Sequence, residues 1–147
     1  MNTLGLVKEY GFTYDSSLMG DDFQPYWMRL GDHGDKRSAW QFGEPTDLVE
    51  IPISWVLDDW GYYEFTPGVS DGGNTPDHVL EIWRGEFDYL YEQEPGGVFT
   101  LTMHPQVTGR GSRIRALERL IQRIRSLPGT RFATTGEVAA EWRASQR

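Results

Sequence analysis

The sequence predicts an α/β fold built as a single unit over residues 1–147, and three observations predict it. β-prone apolar segments at 11–18, 48–57 and 98–103 are separated or followed by segments with helical spacing, chiefly 75–94 and 112–127. Strands that alternate with helices imply parallel βαβ units, in which a strand covered on both faces reads as a nearly continuous apolar run. A chain of 147 residues can bury a real core, yet is short for a closed eight-stranded α/β barrel, which needs roughly 250.

The elements follow in order. "TLGLVKEY" (3–10) reads as a short helix leading into the strand "GFTYDSSL" (11–18). "LVEIPISWVL" (48–57) is almost wholly apolar, as a central strand should be. The Gly- and Asp-rich loop "TPGVSDGGN" (66–74) reads as a turn, because it lacks the carboxylate spacing of a calcium loop. A Thr-Pro start then opens the helix 75–94, with Val79, Ile82, Trp83, Phe87, Leu90 and Tyr91 near helical spacing. "VFTLTM" (98–103) is the next strand. Helix 112–127 places Ile114, Leu117, Leu120, Ile121, Ile124 and Leu127 on one face and stops at Pro128-Gly129. A last strand, "TRFAT", and a short helix, "GEVAAEWR", close the chain.

Composition removes several classes of function. Without cysteine there is no disulfide framework, thiolate zinc site or thiol nucleophile. No apolar run is long enough to cross a bilayer and no leader opens the chain, so a soluble, cytoplasmic protein is expected. Residues 1–104 carry 5 Lys/Arg against 19 Asp/Glu, whereas residues 105–147 carry 9 against 3. The acidic first part argues against nucleic acid as a partner. Gly109-Arg-Gly111 lacks both the Walker Lys-Ser/Thr and a full dinucleotide fingerprint, so nucleotide binding is set aside.

Chemistry in parallel α/β folds gathers at the carboxyl ends of strands. Two such ends stand out: "DDWGYYEF" after the second strand and "HPQ" after the third. If the two strands are neighbours, Asp58, Asp59, Trp60 and His104 open onto one face. A histidine there can act as a general acid near neutral pH, carboxylates can orient it, and Trp60 can wall a sugar or amide pocket. A capping histidine, a solvated turn carboxylate and a core tryptophan fit the same residues.

"GFTYDSSL", "LVEIPISWVLDDW", "GGVFTLTMHPQVTGR" and "RIRALERLIQRIRSLPGTRFATTGEVAAEW", in this order, resemble the carboxyl-terminal half of a polysaccharide deacetylase. The similarity is greatest to the branch that includes peptidoglycan deacetylase-like and allantoinase-like proteins. It implies a partial, deformed (β/α) barrel and a hydrolase of non-peptide C–N bonds acting on a carbohydrate or amide substrate. It also implies catalytic roles for His104, which would protonate the departing amine, and for Asp59. Trp60, Leu101 and Asp58 would contact the substrate. Many deacetylases carry a further Asp four residues before the Trp that tethers an arginine; Val56 stands there, which would move that role to Asp58 or Asp59.

A complete member of the resembled family would hold a divalent metal, zinc, through first-half motifs that are absent here. His33, His78 and His104 include no helical pair, so no metal site and no cofactor are expected in this chain. The expected partner is the missing N-terminal half or a second copy, because half a barrel leaves sheet edges open. The chain is expected to be inactive alone. The other reading is a non-catalytic fragment or interaction module that keeps the sugar-facing loops.

Overall fold

In a computed structural model that describes residues 3–146, the apolar run at 48–57 is not one strand. Its first part ends a strand, β3 (Glu44–Glu50), and its last part is a 3₁₀ turn (Trp55–Leu57) capped by the Ser54 hydroxyl. Pro52 lies between them; it has no N–H for a ladder, and a proline ring inside a strand ends pairing. The other elements are α1 (Thr3–Glu9), β1 (Tyr14–Asp15), β2 (Tyr26–Leu30), α2 (Trp60–Tyr63), α3 (Pro76–Gln93), α4 (Pro105–Thr108), α5 (Gly111–Arg125) and α6 (Thr135–Ser145). They fall into two compact units, Met1–Pro52 with Ala133–Arg147, and Ile53–Phe132.

The first unit is a mixed three-stranded sheet ordered β1-β3-β2. β1 pairs with β3 in parallel, Tyr14 opposite Val49 and Asp15 opposite Glu50. β2 pairs with β3 antiparallel, with a register shift between Trp27 and Arg29. The expectation of parallel pairing therefore holds for one pair, and the second is a hairpin-like pair that periodicity did not show. Met28, Leu48, Val49 and Ile51 are buried. The expected strand at 130–134 does not form; its last residue instead caps α6, where Thr134 and Glu137 make a reciprocal capping box. Trp142 meets Trp27 edge-on at 5.0 Å, and Arg143 donates to the Thr13 carbonyl at 3.0 Å.

The second unit is built on two helices. Thr75 caps α3 with Pro76 in its first turn, and α3 buries Val79, Trp83, Phe87 and Leu90. α5 buries Ala116, Leu120 and Ile124, spaced four apart, against α3. Ile114, expected on the inner face, is exposed. The segment 98–103 is extended but forms no ladder. It has one parallel bridge, in which Thr102 N–H donates to Leu57 O at 2.8 Å and Asp59 N–H to Thr102 O at 3.2 Å. That bridge is what the site needs, because it sets the residues after Leu57 beside those after Thr102. No described helix is long and apolar enough to cross a membrane.

α4 is a single turn that sequence reading missed. His104 is its N-cap residue, Pro105 opens it with a ready-made φ, and Gly109 closes it with an N–H to the Pro105 carbonyl at 3.1 Å. A Cβ at Gly109 would collide with that same carbonyl oxygen, whereas one at Gly61 would meet nothing. Gly109→Ala is expected to destabilise the protein by about 1–3 kcal/mol through forced overpacking. Gly61→Ala should cost nothing, and urea unfolding of the two variants checks both outcomes.

Candidate active site

Leu57 is buried, and the bridge to Thr102 directs the chain after it toward the His104 turn. Asp58 turns back, its Oδ1 accepting the Trp60 N–H at 2.7 Å and so starting α2. Asp59 occupies the N-cap position of α2, but its side chain makes no capping bond. It points instead toward α4. Asp59 is 0% exposed, among the most deeply buried polar residues of the chain.

Three donors converge on its carboxylate. His104 Nδ1 lies 2.6 Å from Oδ1; His104 N–H donates to Oδ2 at 2.9 Å; the Thr108 hydroxyl donates to Oδ2 at 2.6 Å. An ionised carboxylate only accepts, so the Nδ1 position carries a proton and Nε2 is left for other chemistry. The His104 side chain is 36% exposed, and Trp60 meets it edge-on with ring centroids 5.2 Å apart. The Trp60 indole N–H donates to Thr66 Oγ1 at 2.8 Å, which fixes that ring. The hydrogen bond from Asp59 raises the His104 pKa above the ordinary imidazole value of 6.5; desolvation opposes it, and the charges of Asp59 and Asp58 add to it.

Asp58, Asp59, Trp60 and His104 are therefore neighbours, brought together by an isolated bridge rather than by a pair of adjacent strands. Leu101 is half-buried, three residues before His104 on the same extended segment. Arg113 pairs with Glu64 at 2.8 Å and lies over the Tyr63 ring. His33 and His78 lie elsewhere, each with Nδ1 against a local oxygen: the Gly31 carbonyl and Asn74 Oδ1. Thr108 was missed by sequence reasoning. Its signal is a threonine four residues after His104 on a turn opened by proline.

The group Asp58, Asp59 and His104 has ligand-type atoms within 4.8 Å of one another. Both Asp59 oxygens and His104 Nδ1 are engaged with each other and with Thr108, and Asp58 Oδ1 with a backbone N–H, which leaves His104 Nε2 and Asp58 Oδ2 outside that network. A closed four-ligand zinc site would need more donors than these two.

No protein-family model matches the chain. The peptidoglycan deacetylase of Helicobacter pylori is 35% identical over 93% of the chain and 51% of its own length. A peptidoglycan deacetylase-like protein of Gibberella zeae is 29% identical over 96% of the chain and 47% of its own length. A crystal structure assigned as a polysaccharide deacetylase from Mycobacterium smegmatis superposes with a TM-score of 0.78 at 35% identity, over 99% of this chain and 46% of that one. The chain spans about half the length of the relatives it matches. The mixed α/β fold with its small open sheet is thus shared with about half of a polysaccharide deacetylase.

The Asp59–His104 contact has a pH signature. His104 is expected to titrate above 6.5, and Asp59→Asn should lower its midpoint, both read from imidazole resonances by NMR. A histidine whose folded pKa is raised contributes stability fully below its unfolded value and loses it as pH climbs through the folded value. The stability gap between wild type and Asp59→Asn should therefore be wider at pH 6 than at pH 9 in urea unfolding.

Proposed function

We propose, for a chain homologous to the polysaccharide deacetylases over nearly all of its length, that residues 1–147 are the half of such a hydrolase that supplies its general acid. The observation that carries this is the 2.6 Å contact between exposed-edge His104 and fully buried Asp59, set beside Trp60. In this reading the substrate is an N-acetylated carbohydrate or a related amide. His104 Nε2–H protonates the amine nitrogen as its bond to the acyl carbon breaks, and the ring is left neutral with Nδ1–H still on Asp59. Asp59 holds the ring and stabilises its cationic form; Trp60 and Leu101 wall the substrate and Asp58 borders it. The upward shift of the His104 pKa favours the protonated form that this role needs.

The nucleophile and the metal expected of a complete enzyme would come from a complementary half, supplied in the same protein or by another chain. The chain alone is then inactive. A cytoplasmic setting is part of the proposal, and cell fractionation followed by immunodetection checks it. One observation favours the second reading, a non-catalytic module: most ligand atoms of the described Asp58, Asp59 and His104 group are engaged in hydrogen bonds. A second copy pairing with an open sheet edge would suit that module. Sedimentation is expected to show association with a complementary half in preference to self-association; a stable monomer indifferent to that half would overturn the partner assignment.

The decisive experiment restores the missing half by co-expression with the remaining portion of the Helicobacter pylori relative, and follows deacetylation of an N-acetylglucosamine oligomer. His104→Asn is the informative variant, because its amide can still donate to Asp59 but carries no transferable proton. Its kcat is expected to fall by about 10² to 10⁴, the worth of a positioned general acid. Trp60→Ala should also raise KM. A complemented enzyme that tolerates His104→Asn would sink the acid assignment.

A further inference from the structure

We infer that Thr108 is a positioning residue for His104 that acts through Asp59; this rests on the acid role proposed above. The reason lies in how a carboxylate is held. A single bond from His104 Nδ1 to Oδ1 would leave the Asp59 carboxylate free to turn about its Cβ–Cγ bond. Oδ2 is instead fixed from two directions, by the His104 backbone N–H at 2.9 Å and the Thr108 hydroxyl at 2.6 Å. With Oδ2 pinned, the plane of the carboxylate is set and Oδ1 meets Nδ1 at 2.6 Å.

Thr108 suits this task. It is 3% exposed, so water does not compete for its hydroxyl. Its branched Cβ restricts χ1, and its own N–H donates to the His104 carbonyl at 3.0 Å. One turn of helix therefore carries both the acid and the group that orients the acid's partner. Serine would keep the hydroxyl without the stiff Cβ; valine keeps the shape without the donor. The groups facing His104 are Asp59, Asp58 and the edge of Trp60; a change at Thr108 replaces none of them and reaches His104 through Asp59.

The test is the His104 titration midpoint, measured by NMR on the chain itself, which reads the geometry without any reaction. Thr108→Val is expected to lower the midpoint by about half a unit, because Oδ2 then keeps only the His104 N–H and the carboxylate is set less firmly against the imidazolium. Thr108→Ser should restore most of the shift. If Thr108→Val does not fold, Thr108→Cys, a weak donor of similar bulk, should show a smaller change of the same sign. An unchanged midpoint overturns the inference. So does a raised one, which would mean that the hydroxyl merely dispersed the carboxylate's charge. A complemented enzyme with no deacetylase activity would count against the proposed function; an unmoved midpoint counts against Thr108 alone.

Discussion

Taking a carboxylate wholly out of water costs several kcal/mol unless donors replace the lost hydration, and Asp59 meets that cost with three of them. Two come from one residue, His104, through its ring and its backbone, and the third from Thr108. Much else is arranged around this. The bridge between Asp58 and Thr102 sets the approach, the Asp58 cap turns the chain so that Asp59 faces inward, and α4 curls to bring Thr108 beneath it. Removing His104 would leave Oδ1 buried and unsatisfied, a penalty of about 1–3 kcal/mol. A catalytic-looking residue is here also structural, which is why a substitution that preserves the Asp59 contact separates the two roles.

Burial and exposure are divided within the pair. Asp59 is sealed off while one side of the His104 ring reaches solvent beside Trp60. The carboxylate that tunes the imidazole is therefore shielded from water, while the imidazole side chain is partly exposed. In the proposed role, that division lets the ring meet something entering from outside while its partner stays fixed.

The sequence made the helices of the second unit legible because burial against one neighbour leaves a 3.6-residue stripe, and Val79, Trp83, Leu120 and Ile124 keep it. The strands were less legible. Apolar content alone made 48–57 one element, although Pro52 denied it a continuous ladder. β2 carries Arg29 and two aromatic residues in five, a pattern that resolves only when β3 lies beside it. The site was legible only as two candidate strand ends that would share a face if they were neighbours; one isolated bridge, not two paired strands, sets 57–59 beside 102. Thr108 was not, because its role depends on a carboxylate from another segment turning toward it. No local pattern records that.

The bonds that make the site join residues 45 and 49 positions apart. Closing a loop of that size costs conformational entropy before any bond is returned, and the cost is lowered only because α3 fills much of the intervening chain as a rigid rod. The site is thus non-local in the sense that governs folding rates. Short peptides carrying "LDDW" and "MHPQVT" would hold none of its geometry; its order belongs to the whole Ile53–Phe132 unit.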